Sequence, residues 1–123
     1  MPLLLVMLGG ALGAGARHLV GRAALAGFGP DLPVGTLGVN LIGGLLMGLL
    51  AGTLARVQAG EAWRLFLGVG VLGGFTTFSA FSLDVVTLAE RGQLLAATGY
   101  LLVSVVGSIA ALVAGLALTR LSA

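Results

Sequence analysis

Cysteine is absent from the 123 residues, which excludes disulfides, thiolate catalysis and Cys-ligated metals and leaves the redox compartment open. Charge is scarce. Only 8% of residues are charged, against roughly a quarter in a soluble domain, and 59% are hydrophobic. With a mean hydropathy of +1.17, that composition excludes an ordinary water-soluble fold. Lysine is missing too, so the sequence pI of 10.6 reflects six arginines against four acids. Those arginines stand singly, with no basic run or zinc spacing, which argues against nucleic-acid binding. No His/Glu cluster suggests a metal centre, and no nucleophile–base pair suggests an enzyme. The N-terminal apolar stretch imitates a signal peptide at Ala14-Gly15-Ala16. No basic residue precedes it, so it is expected to be a retained span.

What is present is four stretches of about 20 apolar residues, the length that crosses a bilayer. They run from Leu3 to Ala26, Val34 to Ala55, Leu65 to Leu88 and Leu94 to Leu118. The connections are short: Gly27 to Pro33, Arg56 to Arg64 and Ala89 to Gln93. The expected fold is a compact all-α membrane protein, a single domain of four transmembrane helices over residues 1–123.

Glycines recur every four residues, a spacing that lets helix backbones approach closely in lipid. The stripes are Gly9, Gly13, Arg17 and Gly21; Asn40, Gly44, Gly48 and Gly52; Gly70 and Gly74; and Gly107, Ala111 and Gly115. They report tight packing rather than activity. Arg56, Arg64 and Arg120 fall on one side of a four-span chain, and Arg22 and Arg91 on the other, with Arg17 close by. Orientation follows arginine asymmetry, which here nearly vanishes. Such a chain can insert both ways, and two opposed copies can form an antiparallel two-fold dimer; a fixed orientation set by other factors is the alternative.

Polar groups within the spans need partners or a wet path. Residues Gly73 to Phe81 read Gly-Gly-Phe-Thr-Thr-Phe-Ser-Ala-Phe, placing two helix-loosening glycines and three hydroxyls in the third span. A break near its middle is expected there. Phe78 and Phe81 share a helix face, and their positive ring edges can favour an anion, although aromatics at this spacing also serve as core. Asn40 offers two N–H donors, either to an anion or to a neighbouring helix. Tyr100, Ser104 and Ser108, each four residues from the next, put three hydroxyls on one face of the fourth span. Asp84 and Arg17 are vestibule charges or snorkelling anchors, and His18 is an interfacial residue.

These residues together resemble the Fluc (CrcB-type) family of small fluoride channels over nearly the whole chain. The resemblance is carried by Gly9 to Arg17, by Gly35-Thr36-Leu37-Gly38-Val39-Asn40-Leu41-Ile42-Gly43, and most specifically by Gly73 to Phe81. It implies a dual-topology antiparallel homodimer in the cell membrane, with two fluoride pathways and a structural sodium ion at the dimer centre. By resemblance, Phe78 and Phe81 present ring edges to fluoride, Asn40 hydrogen-bonds it, and Tyr100, Ser104 and Ser108 form a polar track. Gly73 and Thr76 match positions whose main-chain carbonyls hold sodium; Arg17 and Asp84 match vestibule positions. Ala80 stands where the family often has threonine, and His18 where it often has tyrosine.

The implied function is passive, electrogenic fluoride export. Fluoride is small and strongly hydrated, so donors must replace its water without a full charge that would trap it. A small multidrug exporter is the main alternative, but its proton exchange needs a membrane-embedded acid, and the first span has none. A non-transporting assembly protein would explain the glycines but not the aligned hydroxyls.

Overall fold

The computed structural model describes residues 2–57 and 60–121. The four apolar stretches form four spans, Pro2–Phe28, Val34–Val57, Glu61–Glu90 and Leu94–Leu121, and no strand occurs among the described residues. At 1.5 Å per residue, each exceeds the ~30 Å of a bilayer core. The spans run slightly beyond the expected limits. The largest extension is at Glu61, where its carboxylate accepts from Arg64 Nε one helical turn later. An acid at a helix start also suits the exposed amides there. The expected Arg56–Arg64 loop therefore shrinks, and its residues Gln58 and Ala59 lie outside the described residues. At the other membrane face the first helix stops at Gly29, whose φ of 77° lets its N–H reach the Leu25 carbonyl at 2.9 Å. This left-handed cap favours glycine.

The third span is the irregular one. Its first half is π-helical over Arg64–Leu72, and the Gly73 N–H accordingly reaches back five residues to the Gly68 carbonyl. An α-turn, Gly73–Phe75, follows before the chain unwinds, and helix resumes at Ser79–Glu90. The break was expected at the two glycines. Instead Gly73 is helical (φ −62°, ψ −37°), and the extended residue is Thr76 (φ −87°, ψ 160°). Gly74 serves close approach: a Cβ there would stand 2.6 Å from the Gly10 carbonyl.

That pattern repeats across the bundle. The second and fourth helices form the most extensive pair, and the first helix lies along the π-helical half. A Cβ at Gly44 would meet the Ser108 carbonyl at 2.7 Å, and one at Gly115 the Leu45 carbonyl at 2.5 Å. At Gly13 it would collide with the Val71 carbonyl and stand 2.8 Å from the Phe75 nitrogen. Backbone-to-backbone contact of this kind replaces the hydrophobic effect as the force between helices in lipid.

Replacing Gly13 with alanine should therefore destabilise the protein by about 1–3 kcal/mol, the usual cost of overpacking. Gly15→Ala, where a Cβ meets open space, should be near neutral. Thermal melting of the detergent-solubilised variants checks this, with a drop of several degrees for the first alone.

Candidate functional site

The three-residue break leaves backbone groups that helix geometry would otherwise satisfy, and an unpaired amide at membrane depth is costly. Asn40 resolves this. Its Nδ2 donates to the Thr77 carbonyl at 3.0 Å, and its Oδ1 accepts from the Thr77 N–H at 2.9 Å. The carboxamide thus pairs with Thr77 as a second peptide would. Asn40 is an interhelical bridge, and one Nδ2 hydrogen remains for another acceptor.

Thr77 does a second job. Its Oγ1 accepts from the Ala80 N–H at 3.1 Å, which caps the returning helix. The hydroxyls of Thr76 and Ser82 bond back four residues, to the Leu72 and Phe78 carbonyls at 3.0 and 2.9 Å. The break also exposes carbonyls. The Leu72 carbonyl takes the Thr76 N–H, and the Gly74 carbonyl takes Arg17 Nε at 3.2 Å. Gly73 is different: the Thr77 N–H four residues on, its normal helical donor, is held by Asn40.

Beyond the break Phe78, Phe81 and Tyr100 form a ladder. Ring centroids are 5.7 Å apart between the phenylalanines and 5.3 Å between Phe81 and Tyr100, with planes tilted by 52° and 51°. Tilted rings turn edges toward neighbouring faces, the arrangement their quadrupoles prefer. Phe81 is buried, whereas Phe78 is 77% exposed in the single chain. The Tyr100 hydroxyl donates to Asp84 Oδ2 at 3.1 Å.

A cavity of about 430 Å³ collects most of the expected residues: Asn40, Thr76, Phe78, Phe81, Ser104 and Ser108 all line it. Ser104 is buried, and its Oγ has no hydrogen-bond partner. It lies close to the Tyr100 hydroxyl, which Thr36 also neighbours. An orphaned hydroxyl on a cavity wall is suited to a small polar occupant. Tyr100 borders this group through Phe81, and Asp84 through Tyr100. Gly73 lies outside the lining and is exposed. Arg17 lines a separate cavity of about 290 Å³ whose wall includes Thr77. The sequence reading counted Thr77 only among the hydroxyls of the third span, not as the staple of the break, and gave Thr36, beside Tyr100, no role. Thr36 precedes Asn40 by one turn, and that spacing was the available signal.

A family described as CrcB-like protein, Camphor Resistance (CrcB), matches residues 4–116. The chain belongs to the CrcB-like family. A relative from Sphingopyxis alaskensis is 60% identical, covering 94% of this chain and 92% of its own. Relatives from Phenylobacterium zucineum and Mesorhizobium japonicum are 58% and 53% identical, each covering 96% of this chain and 94% and 95% of their own. All three bear the name fluoride-specific ion channel FluC. The break, the phenylalanine pair and the serine track thus belong to a CrcB-like protein, and the match includes every residue of the cavity wall named above.

Asn40→Ala should leave both Thr77 main-chain groups without partners, at about 1–3 kcal/mol for each buried group. Hydrogen exchange measured on a peptide covering residues 74–82 should accelerate strongly, while a peptide from the fourth helix keeps its protection.

Proposed function

We propose that this chain is a fluoride-selective channel that exports fluoride passively and electrogenically across the cell membrane, lowering cytoplasmic fluoride. The observation that carries the reading is the cavity at the break: tilted phenyl rings, a free amide hydrogen on Asn40 and the orphaned Ser104 hydroxyl, with no ionised side chain in its wall. Such a lining supplies donors and weak positive ring edges in place of hydration, and lacks the full charge that would hold the ion too long. The named relatives favour fluoride as the ion.

The conducting unit in this reading is an antiparallel homodimer of oppositely inserted chains. Support comes from the near balance of arginines between the two faces and from Phe78. Its ring is largely uncovered in one chain although it belongs to the ladder, and a second copy would cover it. The reading extends to a sodium ion at the two-fold centre, and two main-chain carbonyls lend it support. The Gly73 carbonyl has lost its helical donor to Asn40, and the extended Thr76 turns its own carbonyl off the helix axis. Two-fold symmetry would double these oxygens to four. Sodium there would supply a fixed positive charge joining the two copies.

Liposomes containing the purified protein should lose fluoride rapidly and electrogenically with little chloride loss, read by an ion-selective electrode with and without a potassium ionophore. Fluoride-tight vesicles at verified incorporation would overturn the reading. Phe78→Ile and Phe81→Ile should each slow efflux at least tenfold while the dimer persists on size exclusion. Tags at either terminus should be accessible from both membrane faces, and one-sided labelling would defeat dual insertion.

A further inference from the structure

A further cavity, of about 600 Å³, is larger than the two described above and shares only Met47 with the chamber at the break. It lies between the second helix and the first half of the third span. The glycine line of the second helix explains it. Gly44, Gly48 and Gly52 all face the fourth helix, where a Cβ would strike Ser108, Leu112 and Thr119. From Gly44 onward, backbone contact is made on that side. The neighbouring stripe, Met47, Leu50, Ala51, Leu54 and Ala55, recurs at i, i+3, i+4, i+7 and i+8 and faces the third span. A Cβ at Gly68 would meet only the Leu50 side chain, at 3.6 Å. Long side chains thus hold the two helices apart, and the small Ala51, Ala55 and Gly68 leave a furrow between them.

The furrow is apolar except at its mouth, where Glu61 and Arg64 form an ion pair with both side chains more than half exposed. Trp63, the sole tryptophan, stands between them in sequence and is 58% exposed. An exposed tryptophan at the end of a span marks headgroup level. From Ala55 the wall descends along the second helix by about 12 Å to Met47. That approaches half of the ~30 Å hydrocarbon core, the reach of one acyl chain in one leaflet. At the mouth, Arg64 gives only its Nε to Glu61 Oε1. A guanidinium has five N–H donors and a carboxylate two oxygens, so both groups keep capacity for a ligand.

We propose that this furrow binds a phospholipid with a phosphoethanolamine headgroup, one acyl chain lying along the second helix. An ion pair has no net charge, so it complements a zwitterion rather than an anion. The lipid phosphate accepts from Arg64, and the primary ammonium donates to Glu61. A trimethylammonium head carries the same charge but has no N–H to donate, so phosphatidylcholine loses the second contact. The inference stands apart from the channel reading, since a lipid fits the furrow whether or not the chain conducts.

Native mass spectrometry of the detergent-purified protein tests this, with phosphatidylethanolamine, phosphatidylcholine and phosphatidylglycerol of matched chains added in turn. Phosphatidylethanolamine adducts should outnumber phosphatidylcholine adducts about two- to fivefold and saturate at one lipid per chain. Glu61→Gln should abolish that preference, and Arg64→Gln should weaken binding of both lipids. Ala51→Leu, which fills the furrow without touching its mouth, should reduce adducts of every lipid. Equal adducts from phosphatidylethanolamine and phosphatidylcholine, or an unchanged preference in Glu61→Gln, would overturn the proposal. So would a stronger preference for phosphatidylglycerol, which would reduce the mouth to a lone arginine contact. Separation of the copies in Ala51→Leu would assign the furrow to a second chain and overturn it as well.

Discussion

Two hydrogen bonds between the Asn40 carboxamide and the Thr77 main chain hold together everything around the break. Without them a three-residue gap in a membrane helix would leave a peptide unit with no partner. With them the second helix supplies what the missing turn cannot. The same pairing removes the helical donor of the Gly73 carbonyl, and it places Thr77 so that its hydroxyl caps the returning helix at Ala80. One side chain therefore opens the backbone, satisfies it and restarts the helix. Burial in protein or against a wet cavity is the condition on which lipid tolerates such a break.

The glycine stripes make this reach feasible. An asparagine side chain is short, and it meets Thr77 only because the helices pack at backbone contact. Gly43 faces the Thr76 methyl so closely that a Cβ would collide with it. Gly44 does the same against Ser108, which draws the serine track of the fourth helix toward the break. Packing and polar chemistry are thus one arrangement: the small residues bring donors and rings around a single chamber, and the ladder of Phe78, Phe81 and Tyr100 ends on Asp84.

Much of this was legible in the chain. Four spans followed from run length, and the close approach of helices followed from glycine spacing, since every aligned glycine of the second span meets a fourth-helix atom. Phe78, Phe81, Ser104 and Ser108 were legible as a group because helical periodicity puts them on two faces. The site of unwinding was not. Local propensity favours loosening at Gly73 and Gly74, but Gly74 is packed against the first helix, Gly73 stays helical, and the chain opens at Thr76, where Asn40 waits.

The residues alone determined that the chain spans a membrane, that its helices meet backbone to backbone and that polar groups concentrate in the third and fourth spans. These follow from hydropathy and period, which are properties of neighbours along the chain. Only the tertiary structure decided that Asn40 pairs with Thr77, that Ser104 is buried without a partner and that Thr77 separates two chambers. Each of those depends on groups from different spans meeting within a hydrogen-bond length, and no periodicity within one span encodes that distance.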